Sequence, residues 1–354
     1  MKVLIIQQKM IGDVLTSTIL FEAIKKKYPK SELHYLINSH THPVVEGNPF
    51  IDKCQFFTQH HEDSFKNVIS FAKSLRHQNY DVVIDVYSKT SSNIITYYSK
   101  AKTRISKRKW YTSFLYTDTI VEEKEPTTNA GLAIENRLKL LSPLGIYTEA
   151  LKPKIYLTEE EIEKGKSIIK AGGLDLNKPI FMIGVLGSSE NKTYPLPYMA
   201  KIIDLIIDCN KDAQILFNYI PKQINEAKAV YDLCNEKTQN QIFLDVFGKS
   251  LREFLMLTAS CNALIGNEGG ATNMAKALYV PTFTIFSPWI NKDSWNMFDD
   301  NKKHVSVHLK DYHPEVYSNT KHHKGLKKES EKLYQKFKPE LIKGVLKEFI
   351  DLLH

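Results

Sequence analysis

A polar glycine turn, Asn267-Glu268-Gly269-Gly270, joins a short apolar run to a helical pattern and is the segment best suited to chemistry. Glycine lets the backbone approach a ligand closely, and the free N–H groups of a helix that begins there bind anions. A glutamate in the same turn can accept hydrogen bonds from hydroxyls. Together these groups predict a site for a phosphate attached to a sugar or ribose. A tight strand-to-helix turn can also use Gly-Gly for structural reasons alone, so that alternative stays open.

A carboxylate near the start of the chain is the second candidate. Residues 2–6 form a continuous apolar run, as in a strand buried on both faces, and Gly12-Asp13 comes just before a helical pattern. Asp13 would therefore lie where the carboxyl end of the strand meets a helix, the edge at which open parallel sheets bind ligands. The alternative is a carboxylate that only stabilises the N-terminus of the helix.

Residues 187–195 form a third polar segment, which follows another apolar run. They begin with Gly187-Ser188-Ser189, continue to Lys192 and end in an aromatic-proline pair.

In this order and spacing, the three segments resemble glycosyltransferase family 9, the ADP-heptose:lipopolysaccharide heptosyltransferase-like enzymes. The family opens with a strand and Gly-Asp-Val, as at residues 12–14 here. Its second half has a glycine turn, a lysine and an aromatic-proline pair, as residues 187–195 do. Its late signature is similar to residues 266–278. The resemblance covers the chain from residue 1 to about residue 290.

Four positions depart from the family pattern. Tyr194 stands where Trp is usual, and Glu268 replaces Asp, which lengthens the carboxylate by one methylene. Asn273 replaces His and so loses titration near neutral pH, and Gln7 replaces a frequent Arg. The reaction class follows from the resemblance despite these changes, but the identity of the sugar does not.

The resemblance implies a GT-B fold, in which two Rossmann-like, doubly wound α/β domains face a central cleft. It implies an inverting enzyme that moves a sugar, from ADP-heptose or a close relative, to a hydroxyl of a lipopolysaccharide core or a similar surface glycan. Asp13 would be the general base for that hydroxyl. The residues expected to bind the donor are Gly187, Ser188, Ser189, Lys192, Asn267, Glu268, Gly269, Gly270 and Asn273.

Length and pattern predict two domains. A chain of 354 residues exceeds what one hydrophobic core usually serves, and strands alternate with helices as in parallel βαβ units. We expect an acceptor-binding domain over 1–160, a nucleotide-sugar-binding domain over 175–325 and a C-terminal helical segment over 326–354 that packs back on the first domain. Strands are predicted at 2–6, 32–37, 53–57, 81–86, 180–186, 213–218, 241–244, 262–265 and 282–286. Helices are predicted near 13–27, 65–77, 129–142, 158–171, 197–208, 223–235, 250–259 and 270–278.

The net charge of +8 is unevenly distributed. Six cations and no acid lie within 100–109, and aromatic residues follow. We interpret this tract as contacting an anionic glycolipid acceptor at the inner membrane surface, where each cation contributes about 1 kcal/mol before screening. A solvated basic loop is the alternative, and no nucleic-acid partner is expected, because no recognised nucleic-acid module accompanies the tract. The residues expected on the acceptor side are Lys9, Gly12, Lys107, Arg108 and Lys109.

Neither a divalent metal nor a cofactor is expected. The chain has no Asp-x-Asp motif, the usual carboxylate clamp for a metal on a nucleotide-sugar diphosphate, and its histidines and four scattered cysteines lack metal-ligand spacing. The leaving diphosphate would then be neutralised by Lys192, backbone N–H groups and helix N-termini. No run approaches the roughly 20 apolar residues of a membrane span, so we expect a cytoplasmic protein with peripheral contact to the inner face of the cytoplasmic membrane.

Two other functions are compatible with the sequence. A non-hydrolysing nucleotide-sugar epimerase would bind a similar donor on the same fold but would need no acceptor. A catalytically silent nucleotide-binding scaffold would tolerate Glu268 and Asn273, although it would have no need of both Asp13 and Lys192.

Overall fold

The computed structural model describes residues 1–318 and 323–353. They divide into two compact units, Met1–Tyr156 and Leu157–His354, each built on its own parallel sheet. The prediction of an α/β protein with two doubly wound units is confirmed. No helix within the described ranges is long and apolar enough to cross a membrane.

The first unit has a six-stranded parallel sheet in the order β3-β2-β1-β4-β5-β6. Its strands are β1 (Lys2–Ile6), β2 (Glu32–Ile37), β3 (Lys53–Phe56), β4 (Val82–Asp85), β5 (Thr103–Lys107) and β6 (Asp118–Ile120). Its helices are α1 (Ile11–Ser17), α2 (Ile19–Lys27), α3 (Gln59–Glu62), α4 (Phe65–Arg76), α5 (Thr90–Ser99) and α6 (Leu132–Lys139). From β1 the chain adds β2 and β3 on one side and then continues with β4 on the other side, so the direction of strand addition reverses between β1 and β4. The loops after these two strands therefore border the crevice where such sheets bind ligands.

β1 lies at the centre of this sheet because its residues are almost entirely apolar. Its last four residues, 3–6, are fully buried, as expected of a strand that is covered by helices on both faces. It pairs in parallel with β2 on one side and β4 on the other. The chain leaves the sheet at Ile6, so the residues from Gln7 onward lie at its carboxyl edge.

The helix predicted over 13–27 is divided in two. α1 ends at Ser17 and α2 begins at Ile19, with Thr18 between them. The hydroxyls of Thr16, Ser17 and Thr18 donate to carbonyl oxygens three or four residues earlier, at 2.7–2.8 Å. Such bonds bend helices. The spacing of the apolar residues predicted a single helix because it does not depend on these side-chain hydrogen bonds.

The basic tract 100–109 contains a strand that sequence reasoning missed. β5 forms there because Thr103 and Ile105 are β-branched and suit a pleated sheet. Ile105 and Ser106 are fully buried. The charges had suggested a loop, and the neighbouring elements α5 and β6 were missed as well.

The second unit has a five-stranded parallel sheet in the order β11-β10-β9-β7-β8. Its strands are β7 (Ile180–Gly184), β8 (Gln214–Phe217), β9 (Ala263–Asn267), β10 (Thr282–Ile285) and β11 (His304–Val307). Its larger helices are α7 (Glu159–Ala171), α8 (Leu196–Cys209), α9 (Ile224–Leu233), α11 (Leu251–Ala259), α12 (Gly270–Ala277) and α17 (Pro339–Asp351). The shorter ones are α10 (Glu236–Gln239), α13 (Lys292–Trp295), α14 (Leu309–Tyr312), α15 (His323–Lys328) and α16 (Ser330–Lys336). Here the order reverses between β7 and β9, and the loops after those strands border the crevice.

The strand predicted at 241–244 is wrong. Ile242 makes a single bridge to Ile215 of β8, and the chain then turns, since the Val246 amide donates to the Phe243 carbonyl at 3.2 Å. The missed strand β11 forms the edge of the sheet beside β10.

Residues 161–174, which lay between the two predicted domains, and residues 157–160, which were predicted in the first domain, belong to the second unit. α7 packs on α11, and the two helices are joined by an ion pair of 2.6 Å between Glu161 and Arg252. The hydrogen bonds from Arg252, its charge and the Thr158 amide lower the pKa of Glu161. This helix is therefore part of the second unit and not a linker.

The C-terminal helix α17 is part of the core of the second unit. Its stripe of Ile342, Leu346 and Phe349 is buried, α17 packs on α8, and the Phe349 ring lies 5.6 Å from that of Phe283 in β10. The sequence had predicted that this segment packs on the first domain. The structure instead buries the stripe within the second unit, because α8 and β10 present a matching apolar surface there.

Candidate active site

Asp13 lies on α1 at the carboxyl edge of the first sheet. Its Oδ1 is 2.6 Å from Nη2 of Arg137 on α6, and its side chain is 25% exposed. The guanidinium is itself held by bonds to Ser17 Oγ (3.0 Å) and to the carbonyl of Ala133 (2.8 Å). The carboxylate is thus fixed in direction through Oδ1, while Oδ2 has no hydrogen bond to the part of the chain that the structure describes.

The two other residues expected beside Asp13 are engaged within the first unit. The ammonium of Lys9 pairs with Glu62 at 2.5 Å, although 41% of the lysine side chain stays exposed. The carbonyl of Gly12 accepts a bond from the hydroxyl of Thr16 at 2.7 Å. The charge of Lys9 is therefore compensated, and Gly12 contributes to the geometry of α1.

Three cations of the tract 100–109 were expected to contact the acceptor, and two of them also have partners. Lys107 pairs with Glu122 at 3.4 Å, and the ammonium of Lys109 donates to the carbonyl of Ser88 at 2.5 Å. Desolvation by burial, with repulsion from Lys107, lowers the pKa of Lys109. These charges help to hold the loops after β4 and β5, so they are less available to a ligand than the sequence suggested.

Arg108 and Lys102 are the cations of the tract that have no partner within the described ranges. Arg104 donates to two backbone carbonyls, at 3.0 and 2.7 Å, and Lys100 lies 4.5 Å from the centroid of the Tyr97 ring. Lys102 precedes β5 and Arg108 follows it, so the two unpaired cations lie at opposite ends of one strand.

Three aromatic side chains follow Arg108 and are exposed. Trp110 is 90% exposed, Phe114 79% and Tyr111 55%. Large apolar side chains grouped at a surface in this way mark interaction sites. The end of β5 thus combines one unpaired cation with an aromatic surface.

A buried carboxylate that sequence reasoning missed lies at the end of β4, beside β1. Asp85 is fully buried, and burial raises its pKa to about 6, against the effect of bonds from the Ser88 amide (2.7 Å) and the Tyr116 hydroxyl (2.7 Å). Tyr116 is also 2.6 Å from Oδ1 of Asn93. One hydroxyl hydrogen cannot serve both acceptors, but a protonated Asp85 that donates to Tyr116 would satisfy both contacts.

The turn after β4 is strained at Ser88, whose φ of 49° lies in the left-handed region. Such a conformation costs on the order of 1–3 kcal/mol and persists when its surroundings hold it. Asp85 holds the amide of this residue, and Lys109 holds its carbonyl. The network thereby fixes the loop beside the strand that leads to Asp13.

In the second unit, Asn267 at the end of β9 joins the two loops of the crevice. The residue is 4% exposed, and its Nδ2 donates to the carbonyls of Gly184 (2.9 Å) and Val185 (3.1 Å). Its Oδ1 accepts from the amide of Tyr194 at 2.6 Å. Every polar atom of the side chain is used inside the protein, so Asn267 joins the two loops and does not offer its amide to a ligand.

Lys192 and Glu268 come from two different loops and meet. Nζ of Lys192 is 3.1 Å from Oε1 of Glu268, a residue that is 8% exposed. The contact is an ion pair without hydrogen-bond alignment, since this oxygen has no hydrogen bond within the described chain. The ammonium also lies 5.8 Å from the ring centroid of Trp289, whose Nε1 donates to the carbonyl of Asn191 at 2.7 Å. The loops after β7, β9 and β10 therefore converge on one cation.

The turn after β7 folds back closely on itself at Gly187. A Cβ at this position would lie 2.3 Å from the carbonyl oxygen of Lys192, so the turn accepts only glycine. Ser188 and Ser189 are exposed on it, and the hydroxyl of Ser189 donates to Oδ1 of Asn191 at 2.8 Å.

A cleft of about 1080 Å³ opens beside this turn, within the second unit. This volume is in the range of sites that hold nucleotide-sized ligands. Three residues expected at the donor, Gly187, Ser188 and Ser189, line the cleft, whereas Lys192 and Glu268 lie outside its lining. The other lining residues are Leu186, Glu190, Asn191, Thr193, Pro195, Leu196, Tyr198, Gln223, Glu226, Lys328, Ser330, Glu331, Tyr334 and Gln335.

α12 begins at Gly270, two residues after Glu268, and has no side-chain cap among the described residues. Gly269, before its first residue Gly270, has a φ of 150°, which glycine adopts without strain. The uncapped N–H groups suit an anion, as the sequence predicted. Asn273 lies on the first turn of this helix and is half-buried.

Sequence reasoning missed three residues that shape these sites. Arg137 and Trp289 belong to no local motif, and only the fold brings them to Asp13 and Lys192. Asp85 could have been found, because it follows an apolar strand as Asp13 does.

Comparisons with known proteins agree with this architecture. A family model described as glycosyltransferase family 9 (heptosyltransferase) matches residues 68–324. Lipopolysaccharide heptosyltransferase 1 of Campylobacter coli is 26% identical over 294 residues, which cover 81% of this chain and 84% of that protein.

Two solved structures share the fold. A glycosyl transferase family 9 protein of Veillonella parvula DSM 2008 has a TM-score of 0.74 at 16% identity and covers 94% of this chain and 97% of its own. The E. coli ADP-heptose LPS heptosyltransferase II has a TM-score of 0.70 at 16% identity, with 95% and 99% covered. The prediction of a GT-B fold is confirmed.

The raised pKa of Asp85 predicts a pH-dependent stability. The folded pKa of about 6 exceeds the ordinary 3.8, so the contribution of this group is fully present below about pH 4 and is lost as the pH rises through 6. Asp85→Asn cannot ionise. Between pH 4 and pH 8 the unfolding free energy of the wild type should therefore fall by roughly 3 kcal/mol relative to the variant.

Urea unfolding at both pH values measures this difference. Parallel pH profiles for the two proteins would contradict a protonated Asp85 at low pH. Asp118→Asn, at a half-buried carboxylate of β6, is the control and should follow the wild-type profile.

Proposed function

This chain belongs to glycosyltransferase family 9, and we propose that it is an inverting heptosyltransferase. It would move heptose from ADP-heptose, or a close relative, to a hydroxyl of a lipopolysaccharide core or a similar surface glycan. The relatives from Campylobacter coli and E. coli are a lipopolysaccharide heptosyltransferase and an ADP-heptose LPS heptosyltransferase, which supports this donor and this acceptor.

The observation that carries the proposal is the carboxylate of Asp13. It lies at the carboxyl edge of a doubly wound sheet, Arg137 fixes its direction through Oδ1 at 2.6 Å, and Oδ2 carries no hydrogen bond within the described part of the chain. A general base needs this combination of a fixed direction and an available oxygen.

The reaction would be a single displacement. The acceptor oxygen bonds to the anomeric carbon as the bond from that carbon to the diphosphate oxygen breaks. The hydroxyl proton passes to Oδ2 of Asp13, and the nucleoside diphosphate leaves with the electron pair of the broken bond. Attack from the face opposite the leaving group inverts the anomeric centre.

The donor would bind on the second unit. The uncapped N–H groups at Gly269-Gly270 and the ammonium of Lys192 suit the diphosphate. Oε1 of Glu268, which lacks an aligned hydrogen bond in the described chain, can accept one from a sugar hydroxyl. Ser188 and Ser189 border the cleft on the other side of the turn.

Asp13→Asn tests the general base. The change keeps the shape and one hydrogen-bonding oxygen but removes the basicity, so kcat should fall roughly 10²–10⁴-fold while the Kd for ADP stays near that of the wild type. Product formation from ADP-heptose and an acceptor glycan is the measurement.

Near-wild-type turnover in Asp13→Asn would end the assignment. Incubation of the wild type with ADP-heptose alone separates the epimerase alternative, since a transferase leaves the sugar unepimerised without an acceptor. A protein that neither turns over nor binds ADP would be a scaffold of another kind.

Lys192→Ala should weaken ADP binding roughly 10- to 100-fold, the effect of losing a hydrogen bond to a charged group. The lysine also neutralises Glu268, so the single variant leaves a nearly buried carboxylate without its partner. Lys192→Ala combined with Glu268→Gln removes both charges and separates the two effects, with the Kd measured by titration calorimetry.

The phosphate role requires that the double variant bind ADP as weakly as Lys192→Ala does. Recovery of wild-type affinity in the double variant would mean that Lys192 serves only Glu268. Turnover in excess EDTA should equal that without chelator, and a reversible loss would reveal a metal requirement.

The acceptor side would face an anionic membrane. Arg108 and the exposed Trp110 and Phe114 combine a cation with aromatic rings, which prefer the boundary between lipid headgroups and acyl chains. This surface, residues 108–114, would bring the enzyme to the inner face of the cytoplasmic membrane, where a lipid-linked acceptor is anchored.

Arg108→Gln with Trp110→Ser should lower partitioning to vesicles that contain phosphatidylglycerol roughly tenfold at low salt, because a cation near such a surface contributes about 1 kcal/mol and the indole adds apolar burial. Vesicle sedimentation measures this. Lys102→Gln, at the far end of β5, and Tyr147→Ser, at an 82% exposed ring, are the matched controls. Equal partitioning of the double variant and the controls would make residues 108–114 an ordinary solvated loop.

A further inference from the structure

A second lysine approaches the indole that contacts Lys192. Nζ of Lys327, on α15, is 5.2 Å from the ring centroid of Trp289, and Nζ of Lys192 is 5.8 Å from the same centroid. Both distances are within the range of a cation–π interaction. Lys327 belongs to a lysine-rich stretch of the sequence, residues 321–338. This stretch contains none of the residues that were expected to bind the donor.

The charge at Lys192 is insufficient for a diphosphate. A nucleoside diphosphate sugar carries two negative charges on its phosphates, and the leaving diphosphate gains a third as the glycosidic bond breaks. The charge of Lys192 is balanced by Glu268 at 3.1 Å, so the pair is neutral as a unit. Without a further cation, only backbone N–H groups would stabilise the negative charge that develops on the leaving diphosphate.

Two lysines on the neighbouring elements α12 and α13 are already engaged. Lys276 of α12 donates to the carbonyl of Met297. Lys292 of α13 pairs with Asp311 at 3.1 Å and donates to the carbonyl of Ser306 at 3.0 Å. Neither ammonium can turn to a diphosphate without giving up these contacts.

The contact with Trp289 makes Lys327 suited to binding a diphosphate. The indole is fixed by the bond from its Nε1 to the carbonyl of Asn191 at 2.7 Å, next to Lys192 in sequence. A carboxylate partner would cancel the charge of the lysine, whereas the face of an aromatic ring attracts an ammonium and leaves its charge available. The helix pair α15–α16 also lines the donor cleft through Lys328 and Tyr334.

We propose that Lys327 is the second phosphate-binding cation of the donor site, held at the indole of Trp289 until the diphosphate arrives. The inference rests on the proposed function, because it assigns a residue to the same nucleotide-sugar site. It also gives α15 a role in catalysis, because Lys327 would stabilise the negative charge on the leaving group.

The test compares two charge-neutral variants of the full-length chain by calorimetric titration with ADP. Lys327→Gln removes the proposed contact, and Lys332→Gln removes the same charge from an exposed position on α16 that is outside the cleft lining. Lys327→Gln should weaken ADP binding about three- to tenfold, since the lysine is exposed and partly screened, and should flatten the salt dependence of the Kd. Lys332→Gln should match the wild type, and Lys327→Arg should recover most of the affinity.

Each outcome bears on one of the two claims. If Lys327→Gln binds ADP as tightly as Lys332→Gln at low salt, the assignment of Lys327 is overturned and the proposed function stands. If the wild type itself does not bind ADP, the proposed donor falls, and the role of Lys327 falls with it. Equal melting temperatures of the variants show that any change in Kd comes from the site and not from the fold.

Discussion

Asn267, with every polar atom of its side chain bonded to the end of β7 or to the loop after it, sets the distance between the loops after β7 and β9. A carboxamide can do this because it has two donor hydrogens and an acceptor oxygen. Aspartate has the same shape but would present an acceptor to two carbonyl oxygens. Burial strengthens these bonds, and they bring Lys192 on one loop to Glu268 on the other. The contact with Trp289 then adds the loop after β10 to the same point.

Both candidate sites hold their reactive charge with an opposite charge from the same unit. Asp13 is paired with Arg137, and Lys192 is paired with Glu268. Pairing fixes direction before a ligand arrives, which favours a preorganised site. Pairing also neutralises the net charge of the site, so a charged ligand must be bound by groups that have no opposite charge beside them. Under the proposed function, backbone N–H groups at the start of α12 would bind such a ligand in one way, and an ammonium on an aromatic face would bind it in another.

The strands built on apolar runs could be predicted from the sequence, including β3 and β8 at sheet edges, whereas β5, β6 and β11 could not. β1 and β7 are apolar runs followed by polar turns, which fixed both the fold class and the positions of Asp13 and Lys192. β5 was hidden by charge, and β6 and β11 are three- and four-residue strands with mixed composition. Arg137 could not be predicted as the partner of Asp13, since 124 positions separate them and only the packing of α6 on α1 joins them. The role of Asn267 likewise depends on β7 lying beside β9.

The burial of α17 in the second unit sets an order in which the two halves are completed as the ribosome makes the chain. All elements of the first unit have been synthesised by Tyr156, and domains generally fold as units during synthesis. The second unit must wait for its final helix, because Phe349 packs on Phe283 and the hydroxyl of Tyr194 bonds to the carbonyl of Phe337 at 2.9 Å. Tyr194 follows the turn that carries Lys192, so this turn is tied to a residue that is synthesised 143 positions later. A chain that terminates prematurely before α17 would therefore have a complete first unit and a second unit without the helix that completes its core.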